Sequence, residues 1–328
     1  MKQVTFGKTG EQVSALCLGW MLFGTRVSEE TSFQLADQYF EAGGRFVDTS
    51  NNYAFWMDGG TGDESESLMG RWMKERKNRD QLFLATKVGA RPRFPGGGLE
   101  NAQGLSAQVI LKEVDESLRR LGTDHIDLYY AHIDDRATSL VETLAAFDEL
   151  VKMGKVRYIG CSNYMTWRIE QARNISRAHD WAAYCCVQQR HTYLRARPGA
   201  TTIGSVFNGR KIQVNTTDEL LDYCAAQDDF TLLAYSPLLS GFYTRNGVDI
   251  PDYYVNSDRD ARMKALMQVA AEVGATPNQV VLAWMMQSTP TVIPIIAAST
   301  REQLSENLGA LHVHLSQQQM ETLNAAAG

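Results

Sequence analysis

The segment IDLYYAH, residues 126–132, is a short apolar run that ends on a histidine. About eight runs of this kind occur along the chain, separated by amphipathic helical patterns. Short buried strands that alternate with helices are typical of a parallel sheet, and eight alternations in order predict a closed barrel. Because all strand C-termini of such a barrel open onto one face, which we call the mouth, polar residues at the run ends converge there. These residues are Asp48, Lys87, His132, Ser162, Asn163, Gln188 and Tyr235.

The predicted fold is therefore α/β, a (β/α)8 TIM barrel that occupies residues 1–328 as one domain. A β-hairpin is expected before the barrel at residues 2–16, and additional helices are expected after the eighth strand. The predicted barrel strands are 16–19, 45–48, 82–87, 126–131, 157–161, 184–188, 231–235 and 292–296. The predicted helices are 28–42, 64–77, 106–121, 139–153, 165–178, 218–227, 260–273, a buried helix that begins at Pro277, 301–311 and 316–326.

The composition argues against nucleic acid and membrane partners. The net charge is −6 and the pI is about 5.6, which disfavours a nucleic-acid ligand. No window approaches the 18 apolar residues of a membrane helix, and the N-terminus lacks the apolar core of a signal peptide. The five cysteines are an odd number, as is typical of free thiols in a reducing cytosol. We therefore expect a cytoplasmic protein.

Two connections are longer than the others, and both follow strands, so both belong to the mouth. Residues 54–63, AFWMDGGTGD, carry Phe55 and Trp56, which we assign to substrate contact. Residues 194–217 form a long polar connection after the sixth strand. Loops of this length in a compact barrel are usually functional or mobile.

Four polar residues together suit the protonation of a carbonyl oxygen. The phenol of Tyr53 is a weak acid, since the reference pKa of tyrosine is near 10, and an ammonium from Lys87 beside it is expected to lower that pKa. Asp48 would hold the lysine charged, and a neutral His132 would orient the carbonyl toward the phenol. Singly, each residue also has a structural explanation, such as a cap, a packing group or a buried histidine.

The hydride for such a reduction must come from a cofactor, because no side chain supplies one. No G-x-G-x-x-G motif follows a strand, so a nicotinamide would bind at the mouth and not in a Rossmann site. Ser162, Asn163 and Gln188 offer partners for a carboxamide, and Tyr235 offers an aromatic face. The segment SPLLSG, residues 236–241, offers hydroxyls and close backbone approach to a pyrophosphate, and residues 298–301 lead into a helix N-terminus that can bind an anion. Ser162-Asn163 and Ser299-Thr300 could equally be helix caps.

Along nearly its whole length the chain resembles the aldo-keto reductases. The motifs that carry the resemblance are FVDTSNNY (46–53), ESLMGRWM (66–73), ATKVG (85–89), SLRRLGTDHIDLYYAH (117–132), LVKMGKVRYIGCSNY (150–164), AYSPLLSG (234–241) and ASTREQLSENLGAL (298–311). The ending is most similar to the bacterial and potassium-channel β-subunit branch, which implies NADPH as cofactor, with NADH as the alternative. A monomer is the default for the family, with an oligomer as the alternative.

The resemblance also implies roles for individual residues. Tyr53 is the acid, tuned by Lys87 and Asp48, and His132 orients the carbonyl. Ser162, Asn163 and Gln188 hold the nicotinamide carboxamide, and Tyr235 stacks on the ring. The remaining cofactor contacts are assigned to Trp20 and Met21 at the first strand, to Ser236, Leu238, Ser240 and Gly241 at the pyrophosphate, to Ser299, Gln303, Glu306 and Asn307 near the adenosine, and to Thr300 and Arg301 at a 2′-phosphate.

Three departures from the family pattern lie on the substrate side. Trp20 stands where a small or polar residue is more usual, His191 replaces a tyrosine, and the loop with Phe55 and Trp56 is longer than in the simplest members. We assign Phe55, Trp56 and His191 to the substrate. A carbohydrate-derived carbonyl is preferred because polar residues surround this loop, namely Asn51, Asn52, Asp58 and Arg91.

The main hypothesis is thus an NADPH-dependent reductase of a small-molecule aldehyde or ketone. One alternative is a nicotinamide-binding sensor or accessory subunit with weak or vestigial activity. Another is an unrelated barrel hydrolase or lyase that uses Asp134 and Asp135. No metal site is predicted, because His312 and His314 are too closely spaced to share a helix face and have no third ligand nearby in the sequence.

Overall fold

Eight parallel strands close into a barrel in the computed structural model, which describes residues 1–197, 200, 206–207, 210–211, 214–245 and 247–327. The strands are β1 (Gln3–Thr5), β2 (Gln12–Ser14), β3 (Cys17–Gly19), β4 (Phe46–Asp48), β5 (Phe83–Val88), β6 (Ile126–Ala131), β7 (Val156–Ser162), β8 (Tyr184–Arg190), β9 (Val206–Phe207), β10 (Arg210–Lys211), β11 (Thr231–Tyr235) and β12 (Val292–Ile296). The barrel runs from β3 through β8 to β11 and β12, and β12 pairs back with β3.

Helices surround the barrel, and most of them begin at a hydroxyl residue. The side chains of Ser28, Ser106 and Ser139 each accept a hydrogen bond from a backbone N–H of the first helical turn, which satisfies a donor that the helix itself leaves unpaired. The helices are α1 (Glu29–Glu41), α2 (Glu64–Arg76), α3 (Ala107–Leu121), α4 (Leu140–Lys152), α5 (Thr166–Ala178), α6 (Asp218–Ala226), α7 (Asp258–Val273), α8 (Pro277–Gln287), α9 (Arg301–Gly309) and α10 (Gln317–Ala325).

The hairpin of β1 and β2 closes the end of the barrel opposite to the mouth. Phe6, in the hairpin turn, is fully buried, and its ring centre lies 5.9 Å from that of Phe46 and 5.4 Å from that of Phe83. These two phenylalanines begin β4 and β5, so the contact is at the N-terminal end of the strands. We call Phe6 and its hairpin the plug.

A buried ion pair fixes the rotation of β5, which carries Lys87. Glu66 on α2 accepts hydrogen bonds from the Thr86 hydroxyl at 2.5 Å and from Arg120 Nε on α3 at 2.6 Å. Successive side chains of a strand point to opposite faces. Because Thr86 points outward to the helices, Lys87 points into the barrel. The sequence of β5 and its outer contacts therefore place the ammonium at the mouth.

The predicted fold is confirmed, and each predicted barrel strand agrees with the structure to within two residues. The short pair β9 and β10 was not predicted, and much of the predicted long connection at 194–217 lies outside the described residues. No helix among the described residues is long and apolar enough to span a membrane.

Candidate active site

A cavity of about 720 Å³ opens at the mouth. Most of the residues predicted for the site line it, although they come from loops and strands spread over the whole chain. The predicted residues that line the cavity are Met21, Asp48, Tyr53, Phe55, Trp56, His132, Ser162, Asn163, Gln188, Tyr235, Ser236, Leu238, Ser240, Gly241, Ser299, Gln303, Glu306 and Asn307.

A buried ammonium lies between a carboxylate and a phenol at the base of this cavity. Lys87 Nζ donates to Asp48 Oδ1 at 2.5 Å, to the Thr49 carbonyl at 2.6 Å and to Tyr53 Oη at 2.7 Å. All three donors of the ammonium are thereby used. The second carboxylate oxygen, Asp48 Oδ2, accepts from Gln188 Nε2 at 2.9 Å. The phenol of Tyr53 is therefore held at a fixed point of the cavity wall.

The protonation of Tyr53 differs from the sequence expectation. Burial and the nearby Asp48 carboxylate raise the pKa of Tyr53 well above its usual value of 10.0, even though an ammonium lies next to the phenol. Burial also lowers the pKa of Lys87, although Asp48 opposes this effect. A neutral phenol is the form that can give a proton to a substrate oxygen, so the arrangement favours a general acid over a phenolate.

His132 contributes a neutral imidazole beside the phenol. Its ring centre lies 6.1 Å from that of Tyr53, and its Nδ1 is 3.1 Å from the Ser50 hydroxyl. Burial and the charge of Lys87 lower the pKa of His132 well below the usual 6.5. The ring is therefore uncharged at neutral pH, as the sequence analysis expected.

Asn163 connects several strand ends through its amide. Its Oδ1 accepts from the Tyr235 hydroxyl at 2.8 Å, and its Nδ2 donates to the His132 carbonyl at 3.0 Å and to Ser162 Oγ at 3.1 Å. The Ser162 hydroxyl in turn donates to the Gln188 carbonyl at 2.8 Å. This network links polar groups at the ends of four strands to one another.

The segment after β11 has an unusual backbone. Ser236, Leu239 and Ser240 have φ angles of 54°, 47° and 59°, in the left-handed region, and Gly241 follows at 89°. Non-glycine residues in this region are strained, and such residues cluster at functional sites. The side chain of Arg245 packs against Gly241, where an added methyl group would lie 3.1 Å from the arginine Cδ. Left-handed turns can present N–H groups to an anion, and here a guanidinium lies beside them.

The N-terminus of α9 forms a further polar part of the wall. The Ser299 hydroxyl donates to Gln303 Oε1 at 3.0 Å, and Glu306 accepts from the Thr276 hydroxyl at 2.7 Å. Ser299, Gln303, Glu306 and Asn307 therefore share one side of the cavity with the start of a helix, which favours an anionic or polar ligand there.

The profile of the Aldo/keto reductase family matches residues 15–327. This chain belongs to the aldo/keto reductase family. The site of Asp48, Tyr53, Lys87 and His132 therefore lies in a member of an oxidoreductase family that generally binds a nicotinamide cofactor.

Similar proteins agree with this assignment. An uncharacterized oxidoreductase of Bacillus subtilis is 29% identical, covering 99% of this chain and 95% of its own. A norsolorinic acid reductase of Emericella nidulans is 32% identical over 95% of this chain and 77% of its own. An aryl-alcohol dehydrogenase [NADP(+)] of Phanerodontia chrysosporium is 30% identical over 96% of this chain and 83% of its own. The crystal structure of a thermostable aldo-keto reductase with the inhibitor epalrestat superposes with a TM-score of 0.76, at 27% identity and full coverage of both chains.

The pH dependence of this aldo-keto reductase follows from two protonation states. Because its pKa is lowered, His132 stays neutral as the pH falls through 6.5, and because its pKa is raised, Tyr53 keeps its proton as the pH rises toward 10. We therefore expect kcat/KM for carbonyl reduction at saturating cofactor to show no change centred near pH 6.5. The profile should be measured for the wild type and for His132→Asn. A step near pH 6.5 that only the wild type shows would contradict this expectation.

Four of the predicted contact residues are not among the residues that line the described part of the cavity. Trp20 is fully buried behind the wall of the cavity, with its ring centre 5.0 Å from that of Phe23. His191 is also buried and stacks on Trp284 with ring centres 5.5 Å apart, and burial lowers its pKa to about 4. Both side chains therefore pack against other aromatic rings, and neither is among the residues that line the described part of the cavity. Thr300 caps α9 and the exposed Arg301 begins it, and neither is among the residues that line the cavity.

Asp134 and Asp135, the acidic pair named for a hydrolase, accept hydrogen bonds from neighbouring protein groups. Asp134 accepts from Arg136 Nε at 2.8 Å and from Arg168 Nε at 3.1 Å. Asp135 accepts from the backbone N–H of Leu105 at 2.8 Å. Both aspartates are buried, so they stabilise loops of the mouth and the hydrolase alternative loses its proposed groups.

Polar residues that favoured a carbohydrate substrate also bind other protein groups. Asn51 donates to Glu113 at 2.9 Å, and Arg91 pairs with Asp63 at 2.5 Å. Of the four residues named for this preference, Asn52 alone is among the residues that line the described part of the cavity. The carbohydrate preference therefore loses most of its support.

Sequence reasoning missed three arginines that line the cavity, namely Arg26, Arg190 and Arg245. A signal existed for two of them. Arg190 lies two residues after Gln188 on the same strand, and residues two apart in a strand share a face. Arg245 follows the SPLLSG motif by four residues. Arg26 lies in an irregular connection, where no periodicity could have placed it.

Proposed function

We propose that this aldo-keto reductase converts an aldehyde or ketone into the alcohol with NADPH, and that Tyr53 is the general acid. The observation that carries the proposal is the 2.7 Å contact of Lys87 Nζ with Tyr53 Oη at the cavity, with Asp48 on the other side of the ammonium. When Tyr53 gives its proton to the substrate oxygen, the phenolate that remains lies against the ammonium, which stabilises it. His132 contributes a neutral ring nitrogen for a hydrogen bond to the substrate.

The residues of the cavity suit a nicotinamide nucleotide. When bound, the cofactor supplies the hydride that reduces the carbonyl carbon. Gln188 Nε2 donates to Asp48 Oδ2, and the side-chain oxygen Oε1 of Gln188 can accept from a carboxamide N–H. Ser162 and Asn163 lie beside it, and the hydrogen bond to Asn163 holds the Tyr235 ring in place. The left-handed turn and Arg245 are suited to the pyrophosphate.

Two arginine variants test the cofactor and its phosphate preference. We expect Arg245→Leu to raise the Kd of both NADPH and NADH by roughly 10-fold or more, since hydrogen bonds to charged groups contribute about 1.5–3 kcal/mol. Arg301→Leu should weaken NADPH alone, because only NADPH has a 2′-phosphate to contact it. Each Kd is measured by fluorescence titration of the purified protein.

The matched comparison is between the two cofactors within each variant. If Arg301→Leu changes both Kd values equally, the 2′-phosphate does not lie at α9. If wild-type protein binds neither cofactor, the reductase proposal itself fails. Binding without turnover of any carbonyl would favour the sensor or accessory-subunit alternative.

We propose an aromatic aldehyde or ketone as substrate. Phe55 and Trp56 pack edge to face with ring centres 5.2 Å apart, both line the cavity, and Trp56 is 48% exposed. Two similar proteins carry names that refer to aryl alcohols and to norsolorinic acid. A panel of aromatic aldehydes and ketones against sugar-derived carbonyls tests this choice, and higher kcat/KM for the sugars would overturn it.

We further propose that the chain forms one domain and that the protein is a cytoplasmic monomer. The family match over residues 15–327 supports a single domain. All five cysteines are free, which supports a reducing compartment.

A further inference from the structure

One guanidinium joins the two ends of the loop that carries Tyr53. Arg91 Nη1 donates to the Asn51 carbonyl at 2.8 Å and to Asp63 Oδ1 at 2.5 Å. Asn51 precedes Tyr53 by two residues, and Asp63 is the last residue before α2. The chain therefore leaves the barrel and returns to nearly the same point, and a single side chain from the β5 loop holds both places. We call residues 51–63 the aromatic loop.

The two ends of the aromatic loop also pack against each other. Gly62 has a φ of 90°, and a Cβ added there would lie 3.1 Å from Asn52 Cα and 3.2 Å from the Asn51 carbonyl oxygen. A glycine allows this close approach of two backbone segments. Glu64 accepts from the backbone N–H groups of Thr61 and Gly62 at 2.7 and 2.8 Å. A loop whose ends are in contact is an Ω-loop, and its shape depends on the groups that join those ends.

The aromatic loop contains a strained turn directly after Tyr53. Ala54 has a φ of 72°, in the left-handed region that residues other than glycine rarely adopt. Its side chain is buried, and its carbonyl accepts from the Met57 N–H at 3.0 Å. Strained conformations persist only when the surrounding structure holds them. The contacts of Arg91 with both loop ends are one such restraint.

Arg91 can affect the cavity only through this loop. It is not among the residues that line the described part of the cavity, whereas Phe55 and Trp56 are. Tyr53 has a second attachment, because its hydroxyl accepts from Lys87 Nζ at 2.7 Å. Loss of Arg91 is therefore expected to displace the two aromatic rings more than the phenol.

We propose that Arg91 is a positioning residue that closes the aromatic loop, holds Phe55 and Trp56 at the cavity and so makes the enzyme prefer aromatic over small aliphatic carbonyls. This inference rests on the proposed function. An aromatic substrate gains contacts with rings whose positions are fixed, whereas an aliphatic aldehyde has no ring to pack there. Arg91 thus affects the binding of one substrate class and leaves proton transfer from Tyr53 in place.

Arg91→Met with two aldehydes tests the selectivity. The variant keeps a long side chain and removes the donors, and Arg120 Nη1 stays 3.2 Å from Asp63 Oδ1, so the carboxylate keeps a cation. We expect the KM of benzaldehyde to rise about tenfold, the order of a lost aromatic contact, while the KM of propanal and the Kd of NADPH stay within about twofold. For both aldehydes kcat should fall by less than about threefold. A general loss of folded enzyme would instead lower kcat for both and leave both KM values unchanged.

A matched control removes a neighbouring arginine. Arg93 is exposed, and its Nε donates to the Ala102 carbonyl at 3.2 Å, outside the aromatic loop. Arg93→Met should keep both KM values. Hydrogen exchange followed by mass spectrometry monitors the loop without any turnover. The amides of residues 54–60 should exchange about tenfold faster in Arg91→Met than in wild type or Arg93→Met, because a loop whose ends are released opens more often.

A second variant tests the strain in the loop. Glycine adopts a φ of 72° at little cost, so adding Ala54→Gly to Arg91→Met should bring the KM of benzaldehyde about threefold back toward the wild-type value. Because it relieves strain, the double variant also serves if Arg91→Met alone folds poorly. A KM that the glycine leaves unchanged would show that strain at Ala54 does not open the loop.

The outcomes separate the levels of the proposal. Unchanged exchange at residues 54–60 in Arg91→Met overturns the role of Arg91 in closing the loop. Faster exchange with an unchanged ratio of the two KM values overturns the substrate selection. Absence of turnover of every carbonyl by the wild type overturns the proposed function and leaves the exchange result standing.

Discussion

Tyr53→Phe should lower kcat for carbonyl reduction by about 10²–10⁴-fold, the range that general acid–base catalysis contributes. The substitution removes one oxygen, which is the proton donor and also the third acceptor of the Lys87 ammonium. The aromatic ring stays, so the shape of the cavity changes little. The Kd of NADPH should stay within about twofold, because the phenol is not among the proposed cofactor contacts. Steady-state kinetics and a cofactor titration on the same preparation give both quantities.

A second tyrosine serves as the control for this substitution. Tyr158 stacks on Phe83, and its hydroxyl donates to the Thr9 carbonyl at 3.1 Å near the plug, at the other end of the barrel. Tyr158→Phe should therefore keep kcat near the wild-type value. Retention of most turnover by Tyr53→Phe would mean that another group gives the proton, and the proposed mechanism would be wrong.

Lys87→Met should destabilise the fold and also abolish most turnover. Lys87 is fully buried and Asp48 is 1% exposed, so the variant leaves a buried carboxylate without its cation. Breaking a buried ion pair in this way costs about 3–5 kcal/mol of unfolding free energy. Chemical denaturation followed by circular dichroism measures this loss, and the kinetics of the same sample measure turnover.

A double variant separates stability from catalysis. In Lys87→Met with Asp48→Asn, the amide replaces the unpaired carboxylate and still accepts from Gln188, so much of the lost stability should return. Turnover should stay low, because no ammonium is left to stabilise a phenolate on Tyr53. If Lys87→Met is as stable as the wild type, the ion pair contributes little to stability. If the double variant recovers turnover, Lys87 is not needed for catalysis and its proposed role is wrong.

The barrel was predictable from sequence because burial and periodicity are local signals. IDLYYAH and the other runs have apolar residues on both faces, as expected for a strand that is covered on both sides. Hydroxyl residues that cap helices, such as Ser106, marked where the helices begin. The convergence of Asp48, Lys87 and His132 then followed from topology alone. The side-chain direction of Trp20 did not follow, because a residue just after a strand can face either the cavity or the helices.

The pKa of Tyr53 could not be predicted from residue types. The sequence placed an ammonium near the phenol, but the sign of the shift depends on burial and on the distance to Asp48, which are properties of the packed site. Likewise, Asn51 belongs to a recognised motif, yet the side chain that donates to its carbonyl is Arg91, 40 residues along the chain. Sequence indicated which groups meet, and packing decided how each is bound and protonated.

The plug has a consequence for how this enzyme can diversify. Aromatic packing closes one end of the cylinder, while every reacting group and substrate-facing loop lies at the other. Changes to the loop at 54–63 therefore need not disturb the packing around Phe6, and changes around Phe6 need not alter selectivity. Such modularity makes the scaffold evolvable, and loop grafts between paralogues that keep residues 1–19 intact are a natural engineering route to new specificities.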